Sequence, residues 1–263
     1  LKLQSTALVA VPSFLLKLIE YCEKEQVDIN RLPVKKVLCI GENIRDDKLQ
    51  PNALAKLITE KWHIQLFSTY ASTEMQTAFT ECGEGAGGHH QPELVIVEIL
   101  DDHDQPLEAG QYGEVTVTTL GIEGMPLIRF RTGDISCFEQ TLCRCGRTTK
   151  RIRPIAGRKN QMIKLKGTTL YPATIFDLLN HFSNIKEYVV EVSNNEIGTE
   201  ELTLHISSDI PADECEMKLK PFLQSRLRTI PNIHYHSTSE IIAMQFPAGN
   251  RKPLKFIDNR KSV

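Results

Sequence analysis

The sequence VKKVLCIGEN, residues 34–43, is an apolar run that stops at a glycine turn, which predicts a buried strand followed by a loop. Residues 6–11 and 64–69 are predicted as two further buried strands. The segments between them carry apolar side chains at helical spacing, which predicts helices at residues 14–26, capped by Ser13, and at 49–61. The order β-α-β-α-β predicts a parallel α/β layer with functional loops at the carboxyl ends of its strands.

The pattern changes after residue 93, where strands follow one another without helices. Strands predicted at 94–100, 113–119 and 126–131 indicate an antiparallel layer. Beyond Gly157-Arg158 the order becomes β-α-β-β-α-β, with strands at 161–165, 187–192, 201–207 and 234–237 and helices at 172–181 and 212–228. That order is typical of a small ferredoxin-like α+β domain. We therefore expect an α/β protein with domains at 1–157 and 158–263.

The composition argues against several classes of function. The chain has 263 residues, a formal net charge of −2 and scattered Lys and Arg residues, so neither a nucleic acid nor a membrane is expected as a partner. No apolar stretch has the length of a membrane span. The chain has seven cysteines, an odd number, and it is too large to need disulfide bonds for its stability. They favour reduced thiols or metal ligands over disulfides, and we expect a cytoplasmic protein.

Two short motifs are candidates for the chemistry of a binding site. Tyr70-Ala-Ser-Thr73-Glu74 follows a predicted strand and offers a ring for stacking, a hydroxyl group and a carboxylate suited to Mg²⁺. Asp134 follows Gly133 and can accept hydrogen bonds from both hydroxyls of a ribose. Each motif also has a purely structural interpretation, with the aromatic ring in the core, the glutamate at the surface and Gly133 in a turn that ends a strand.

The order of these motifs resembles a known superfamily. Tyr-x-x-Thr-Glu at 70–74 is followed by Arg-Thr-Gly-Asp at 131–134, by Gly157-Arg158 and by a lysine near the C-terminal end. This order is similar to that of the adenylate-forming acyl-CoA synthetases, luciferases and peptide-synthetase adenylation domains. Residues 118–129, 143–148 and 166–172 resemble the phenylacetate-CoA ligase family within it. The resemblance implies that 1–157 is the C-terminal part of a large AMP-binding domain and 158–263 a small mobile domain.

The reaction implied by the resemblance has two steps. ATP and a carboxylic acid form an acyl-adenylate with release of pyrophosphate, and coenzyme A then takes the acyl group and releases AMP. By resemblance, Tyr70 stacks on adenine, Thr73 binds a phosphate or acyl oxygen and Glu74 holds Mg²⁺. Asp134 binds the ribose and Arg158 contacts the nucleotide at the domain boundary. The substrates implied are ATP, CoA and an aryl acid such as phenylacetate.

The C-terminal segment resembles the family's catalytic lysine motif. Lys252 is the expected catalytic residue, because its charge would stabilise the charge that develops during adenylation. Arg251 stands where the family usually has Gly, and Lys255 offers a second cation, so the choice between the two lysines stays open. Asn160 falls at the family's hinge position, where relatives usually have Asp or Lys.

Three further residues are assigned by resemblance alone. Gly41 and Glu42 correspond to a segment that lines the acid pocket beside adenine, although a helix-capping turn explains them almost as well. Gly167 corresponds to a loop that borders the CoA channel, and its alternative is an ordinary hairpin glycine.

A cluster of cysteine and histidine predicts a structural zinc site. Cys82, His89, Cys143 and Cys145 offer three thiolates and one imidazole, a complete tetrahedral set, and His90 competes with His89. The fold has to bring the two halves together across more than fifty residues. The alternative is that these are reduced cysteines in ordinary loops.

The Ser/Thr/Gly-rich phosphate-binding loop of the superfamily does not occur before Tyr70. We therefore expect the sequence as given to be inactive in adenylation, and the full gene product to be active. Two alternatives stay open: a non-catalytic nucleotide-binding homologue, or an adenylating enzyme whose acceptor is not CoA. The sequence does not specify the acid, and it leaves a homodimer open.

Overall fold

A computed structural model of the protein describes residues 4–165, 168–195, 199–247 and 253–260. The chain divides into two compact units, Leu1–Lys159 and Asn160–Val263. The division falls just after the boundary expected at 157/158, because Gly157–Arg158 forms a strand of the first unit. Lys159 also belongs to that unit, since its ammonium nitrogen lies 2.7 Å from Asp102 and 3.3 Å from Glu114.

The described part of the first unit contains two sheets and the helices that connect their strands. Its elements are β1 (Ala7–Ala10), α1 (Pro12–Lys24), a 3-10 helix (Ile29–Arg31), β2 (Lys36–Cys39), α2 (Ala53–Lys61), β3 (Gln65–Ala71), β4 (Ala78–Glu81), β5 (Gly88–His89), β6 (Val95–Leu100), β7 (Gly113–Thr119), β8 (Phe130–Ser136), β9 (Arg151–Ile152) and β10 (Gly157–Arg158). A mixed sheet has the order β1-β2-β3-β4-β5-β9, and an antiparallel sheet has the order β10-β8-β7-β6. Strands β1, β2 and β3 are parallel, as the β-α-β-α-β pattern predicts, but β1 is not the buried strand expected at 6–11, since Val9 is 65% exposed.

Helices α1 and α2 pack against the parallel strands. Leu15 and Ile19 of α1 and Ile58 of α2 are fully buried in one cluster with Val37 of β2 and with Trp62, which follows α2. Spacings of three and four residues put such side chains on one face of a helix, so the apolar stripes read from the sequence are the buried faces.

The starts predicted for the two helices of the first unit are wrong. Helix α1 begins at Pro12 with Val11 as the N-cap, so Ser13 lies inside the first turn. Pro12 fits there because the first turn requires no N–H from it. Helix α2 begins at Ala53, where the Asn52 side chain accepts a hydrogen bond from the N–H of Ala55. Residues 49–52 do not belong to it, since Leu49 has a φ of 62°, which a right-handed helix does not contain.

The third strand of the antiparallel sheet also differs from its prediction at 126–131. Strands β6 and β7 lie where the alternation of apolar residues predicts them, with Val95, Val97 and Val115 buried. Strand β8 begins only at Phe130, because Arg129 has a φ of 47°, which interrupts the extended backbone. It then continues through Gly133 to Ser136, so Gly133 and Asp134 lie within a strand and not in a turn that ends one.

The second unit contains a four-stranded sheet and a separate hairpin. Its elements are β11 (Ile163–Leu165), β12 (Thr168–Leu170), α3 (Pro172–Asn180), β13 (Ile185–Asn194), β14 (Glu200–Ser208), α4 (Ala212–Leu227), β15 (Asn232–Tyr235), α5 (Thr238–Gln245) and β16 (Phe256–Asn259), preceded by a 3-10 helix, Lys159–Gln161, at the division between the units. The sheet has the order β15-β14-β13-β16. Its central pair is antiparallel, and each outer strand is parallel to its neighbour.

The ferredoxin-like arrangement is not confirmed. The strand expected first, β11, pairs with β12 in the separate hairpin and not with the sheet. In a split β-α-β unit another strand separates the two parallel strands, whereas β14 and β15 are direct neighbours joined by α4. Among the described residues, no helix is both long enough and apolar enough to cross a membrane.

Candidate functional site

Tyr70, Asp134 and Arg158 form a connected polar group in the first unit. The Tyr70 hydroxyl donates a hydrogen bond of 2.9 Å to Oδ2 of Asp134. Nε of Arg158 lies 3.3 Å from Oδ1 of the same carboxylate. Register explains the second contact, because Arg158 in β10 pairs with Asp134 in β8. The fold thus brings together three residues that the sequence separates by up to 88 positions (158 − 70).

Burial differs sharply within this group. The Asp134 residue is 8% exposed, whereas the Arg158 side chain is 61% exposed. Burial raises the pKa of Tyr70, and the neighbouring Asp134 carboxylate raises it further, so the phenol stays a hydrogen-bond donor at neutral pH. The Tyr70 ring is stacked on Phe79, with ring centroids 5.9 Å apart, because the two residues are partners in the β3–β4 register.

A bulge in β8 presents Asp134. Between paired positions Glu114–Ile135 and Thr116–Arg131, β8 has more residues than β7, and Gly133 in this stretch has a φ of 77°. A bulge of this kind changes the direction of side chains, and glycine adopts a positive φ without steric cost. Glu114 holds the bulge: its Oε1 accepts the Gly133 N–H at 3.1 Å and its Oε2 accepts from Arg131 at 2.7 Å.

Thr73 and Glu74 lie in the loop that joins β3 to β4, and both are exposed. Met75, the next residue, is completely buried and anchors the loop. A hydrogen bond to its own backbone N–H lowers the pKa of Glu74, and the charge of Arg158 lowers it further. The carboxylate is therefore ionised at neutral pH and accessible to a cation.

Glu42 occupies a position that its sequence motif does not reveal. Its Oε2 accepts a hydrogen bond from the Ser13 N–H and its Oε1 one from the Ser13 hydroxyl, both at 2.9 Å. Helix α1 has no acidic residue in its own first turn, so Glu42 supplies the negative charge at its N-terminus. The adjacent Gly41 has a φ of 77°, which favours glycine in the turn after β2. A role of Gly41 and Glu42 beside the acid and adenine stays a prediction.

A small cleft that Tyr70 helps to line contains an ion pair that the sequence does not predict. The cleft is lined by residues that include Tyr70, Phe79 and Arg153. Arg45 and Glu81 also line it and form two hydrogen bonds, of 3.2 Å from Nε and 2.8 Å from Nη2 of Arg45. The Glu81 side chain is 1% exposed. No local pattern signals this contact, because the partners lie 36 residues apart on different elements.

The four predicted zinc ligands come together at one end of the mixed sheet. The ligand atoms of Cys82, His89, Cys143 and Cys145 all lie within 4.8 Å of one another. Pairing of β4 with β5, and of β5 with β9, brings the two halves together, because the cysteine pair lies in the loop before β9. His90 is not part of the cluster, since its Nε2 lies 2.6 Å from the carbonyl oxygen of Val95.

The distances in the cluster fit a tetrahedral ion. With metal–sulfur bonds of about 2.3 Å and metal–nitrogen bonds of about 2.0 Å, tetrahedral ligand atoms lie about 3.8 Å apart for two sulfurs and about 3.5 Å apart for sulfur and nitrogen. The Cys82 and Cys143 sulfurs are 3.6 Å apart, and the Cys145 sulfur lies 3.5 Å from Nε2 of His89. Nδ1 of His89 contacts the Thr149 hydroxyl at 3.2 Å, the outer partner that metal-binding histidines usually have.

The thiols of this cluster differ in acidity. A hydrogen bond from the Arg147 backbone N–H lowers the pKa of Cys145 to about 7. Burial raises the pKa of Cys82 to about 11, and burial also lowers the pKa of His89. His89 is therefore neutral at physiological pH, which is the form that binds metals.

In the second unit, the structure describes part of the predicted set. The backbone carbonyl of Asn160 accepts a hydrogen bond from Nη2 of Arg260 at 3.3 Å. The ammonium group of Lys255 lies 4.7 Å from the centre of the Tyr188 ring, a cation–π contact. Lys252 and Gly167 lie outside the described residues.

Comparisons with known proteins agree with the sequence motifs. No family model matches the chain. A curated relative named phenylacetate-coenzyme A ligase, from Thermus thermophilus, is 29% identical over 163 residues, which cover 60% of this chain and 37% of that protein. Relatives of the same name from Escherichia coli and Pseudomonas putida are 30% and 26% identical, over 54% and 73% of this chain and 33% and 43% of theirs. The predicted resemblance to phenylacetate-CoA ligases is confirmed. The chain spans less than half the length of these ligases.

Solved structures agree on the fold. A 2-hydroxyisobutyryl-CoA ligase in the postadenylation state, in complex with R3-HIB-AMP, matches with a TM-score of 0.80 and 20% identity, over 98% of this chain and 55% of that protein. An anthranilate CoA ligase in complex with anthranoyl-AMP matches with a TM-score of 0.68 and 15% identity, over 89% and 46%. The chain therefore has the α/β fold of these CoA ligases.

Proposed function

We propose that this sequence is part of an AMP-forming acid-CoA ligase that activates an aryl carboxylic acid of the phenylacetate type. ATP and the acid form an acyl-adenylate, pyrophosphate leaves, and the CoA sulfur then attacks the acyl carbon and releases AMP. The connected group of Tyr70, Asp134 and Arg158, in a chain similar to phenylacetate-CoA ligases, is the observation that supports this most.

The geometry of this group suits an adenosine ligand. A carboxylate has about four lone-pair positions. The Tyr70 hydroxyl and Arg158 use two of those on Asp134, which leaves acceptors for the two ribose hydroxyls. Phe79 fixes the plane of the Tyr70 ring from one side for stacking on adenine. The exposed guanidinium of Arg158 can turn toward a phosphate oxygen.

The loop between β3 and β4 provides the groups that suit the phosphates. Thr73 offers an exposed hydroxyl group for a phosphate or acyl oxygen. Glu74 offers an exposed, ionised carboxylate for Mg²⁺, an ion that prefers oxygen ligands and screens the phosphate charge. In this proposal Gly41 and Glu42 lie beside the acyl group and adenine.

The second unit contributes the remaining roles in this proposal. Lys252 is the lysine that neutralises the reacting carboxylate and α-phosphate, Asn160 lies at the hinge, and Gly167 borders the CoA channel. The contact of Lys255 with the Tyr188 ring favours Lys252 of the two candidates, because Lys255 already has a partner within the unit.

The cysteine cluster is proposed to hold a structural zinc ion. Four protein ligands fill a tetrahedral site and leave no position for substrate or water. Such an ion joins the loop after β4 to the loop before β9 and so stabilises the β4-β5-β9 end of the mixed sheet.

The test measures AMP and pyrophosphate release by the full-length gene product with ATP, Mg²⁺, CoA and a panel of aryl and short aliphatic acids. We expect release that depends on acid and CoA and is highest with aryl acids. Lys252→Ala should lower adenylation by about 10²–10³-fold, the usual cost of losing one group that stabilises the transition state. Lys255→Ala is the matched control and should retain most activity.

Three results would change the proposal. Turnover that is independent of CoA would assign a different acceptor. Nucleotide binding without turnover of any acid would indicate a non-catalytic homologue. A larger loss in Lys255→Ala than in Lys252→Ala would exchange the roles of the two lysines.

A further inference from the structure

Three histidines that belong to none of the sequence motifs lie close together in the second unit. His205 lies in β14, and His234 lies opposite it in the register with β15. His236 follows β15 directly, and its backbone N–H donates to the carbonyl oxygen of Ile206. Leu204 and Ile206, the neighbours of His205, belong to the hydrophobic core of this unit. Because side chains alternate along a strand, His205 points to the opposite face.

The imidazole nitrogens are close enough to bind one ion. One ligand atom from each of the three histidines lies within 4.8 Å of the other two. Nδ1 of His205 is 3.0 Å from Nε2 of His236. Two nitrogens bound to one tetrahedral metal at about 2.0 Å are about 3.3 Å apart, so this pair needs only a small outward movement. The His234 ring stands at a steep angle to that of His205, with centroids 5.5 Å apart.

An acidic residue orients the His205 ring from the side that does not face His236. Oε2 of Glu191 lies 2.8 Å from Nε2 of His205, the ring nitrogen that does not face His236. Oε1 of the same carboxylate accepts a hydrogen bond of 2.8 Å from the Asn259 side chain. Metal-binding histidines typically donate their second N–H to such a carboxylate, which fixes the tautomer and makes the free nitrogen a better ligand. Glu191, His205 and Asn259 come from three adjacent strands, so the arrangement is part of the sheet and not of a loop.

We propose that His205, His234 and His236 bind a divalent transition-metal ion, Zn²⁺ in the first instance, with Glu191 as the outer carboxylate of His205. Neutral imidazoles suit zinc, copper and nickel, whereas Mg²⁺ and Ca²⁺ prefer oxygen ligands. Three protein ligands leave a fourth position for water or for a small anion.

Binding requires one rearrangement of hydrogens. In the metal-free protein one of the two facing nitrogens of His205 and His236 carries a hydrogen, because they form a hydrogen bond. With the His205 hydrogen on Nε2 toward Glu191, it is His236 that donates. The ion then binds when the His236 hydrogen moves to Nδ1, which leaves both facing nitrogens free to coordinate.

This site differs from the cysteine cluster in position and in chemistry. The cysteine cluster lies in the unit Leu1–Lys159 and consists mainly of thiolates, whereas the histidine cluster lies in Asn160–Val263 and contains no sulfur ligand among the described residues. A substitution in one cluster should therefore leave metal binding by the other unchanged.

The test is a zinc titration of the whole chain after treatment with a chelator, at neutral pH with a thiol reductant, read by isothermal titration calorimetry and by metal analysis after gel filtration. The wild type should bind two zinc ions per chain. His234→Gln and the double variant His234→Gln/His236→Gln should each bind one. His181→Gln is the matched control, because His181 is an exposed histidine of the same unit outside the cluster, and it should bind two.

Glu191→Gln tests the outer carboxylate separately. It should keep the second ion but bind it about 10–100-fold more weakly, the usual effect of losing an outer-shell partner. His234 is exposed, so its substitution should leave folding intact, as circular dichroism will report. Equal zinc stoichiometry and affinity in the wild type and in both histidine variants would overturn the proposal, as would a second ion that His181→Gln removes.

Discussion

Replacing Arg45 by Met should destabilise the first unit strongly, because it leaves the Glu81 carboxylate buried without its partner. The Glu81 side chain is 1% exposed and the Arg45 side chain 17%. Their two hydrogen bonds are the ion-pair contacts that connect the loop after β2 to the end of β4. Methionine keeps much of the aliphatic length of arginine, so the variant removes the charge and the donors more than the packing.

The expected cost is about 3 kcal/mol. Breaking a buried ion pair by removing one partner typically costs about 3–5 kcal/mol, since the remaining charge is left without compensation. The lower end applies here because Arg45 is partly exposed, and solvent reduces the strength of the interaction. For a unit of about 150–250 residues, each kcal/mol shifts the melting temperature by about 2–4 °C, so a decrease of about 6–12 °C is expected.

The single tryptophan provides a selective assay. Trp62 is 1% exposed in the core of the first unit, so its fluorescence during urea denaturation follows that unit. Arg31→Met is the matched control, because the Arg31 side chain is 88% exposed and its ion pair with Asp28 is at the surface. The control should change the free energy of unfolding by less than about 0.5 kcal/mol.

A double variant separates the lost pair from other effects. Arg45→Met/Glu81→Leu removes both charges and should recover most of the stability, since apolar replacements of a buried pair are often neutral. A cost of less than about 1 kcal/mol for Arg45→Met alone, the value of a surface pair, would contradict the assignment of a buried ion pair. A double variant that is less stable than Arg45→Met would contradict it as well.

Three further predictions follow from the two sites and from the second unit. Tyr70→Phe in the full-length protein should weaken AMP binding about tenfold in calorimetry, since it removes a hydrogen bond to the Asp134 carboxylate, and unchanged affinity would contradict that role. In chelator-treated protein, alkylation of Cys145 should be half-maximal near pH 7, whereas Cys82, with a pKa of about 11, should react only at strongly alkaline pH. Mass spectrometry of the peptides measures the alkylation of both cysteines. Bound zinc should protect both from alkylation, and identical pH profiles would contradict the difference in acidity. Arg260→Lys should destabilise strand β16 by about 2 kcal/mol in hydrogen exchange, because an ammonium group cannot keep every contact of the guanidinium, and full protection in the variant would count against it.

The elements that the sequence predicts well are those with a long periodic pattern. The three parallel strands and both helices around residues 34–43 follow from apolar runs of sufficient length. Strands β5 and β9 have two residues each, so no alternation develops within them. Their pairing depends on partners distant in sequence, and such contacts leave no local signal.

The candidate site shows the same difference between local motifs, which the sequence reveals, and contacts between distant residues, which it does not. Tyr70 and Asp134 are singled out from motifs, and the structure brings their side chains into contact. The Cys-x₆-His and Cys-x-Cys spacings predict two halves of a metal site, and only strand pairing joins them. Arg45 and Glu81 belong to no motif, since a buried ion pair between distant elements can be placed anywhere in a sequence.

The Arg-Thr-Gly-Asp motif shows why a short sequence can specify a site across a whole sheet. Arg131 binds the Glu114 carboxylate, and the other oxygen of that carboxylate accepts the Gly133 N–H. The Thr132 hydroxyl donates to the backbone of β7 and accepts from the Asp134 N–H, so it fixes the bulge from the other side. Gly133 provides the positive φ that lets the strand continue. Thr132 and Gly133 shape the backbone of the bulge directly, and Arg131 does so through Glu114. Together they direct the Asp134 side chain toward Tyr70. Four consecutive residues can therefore encode the backbone geometry that brings a carboxylate to a tyrosine of another strand.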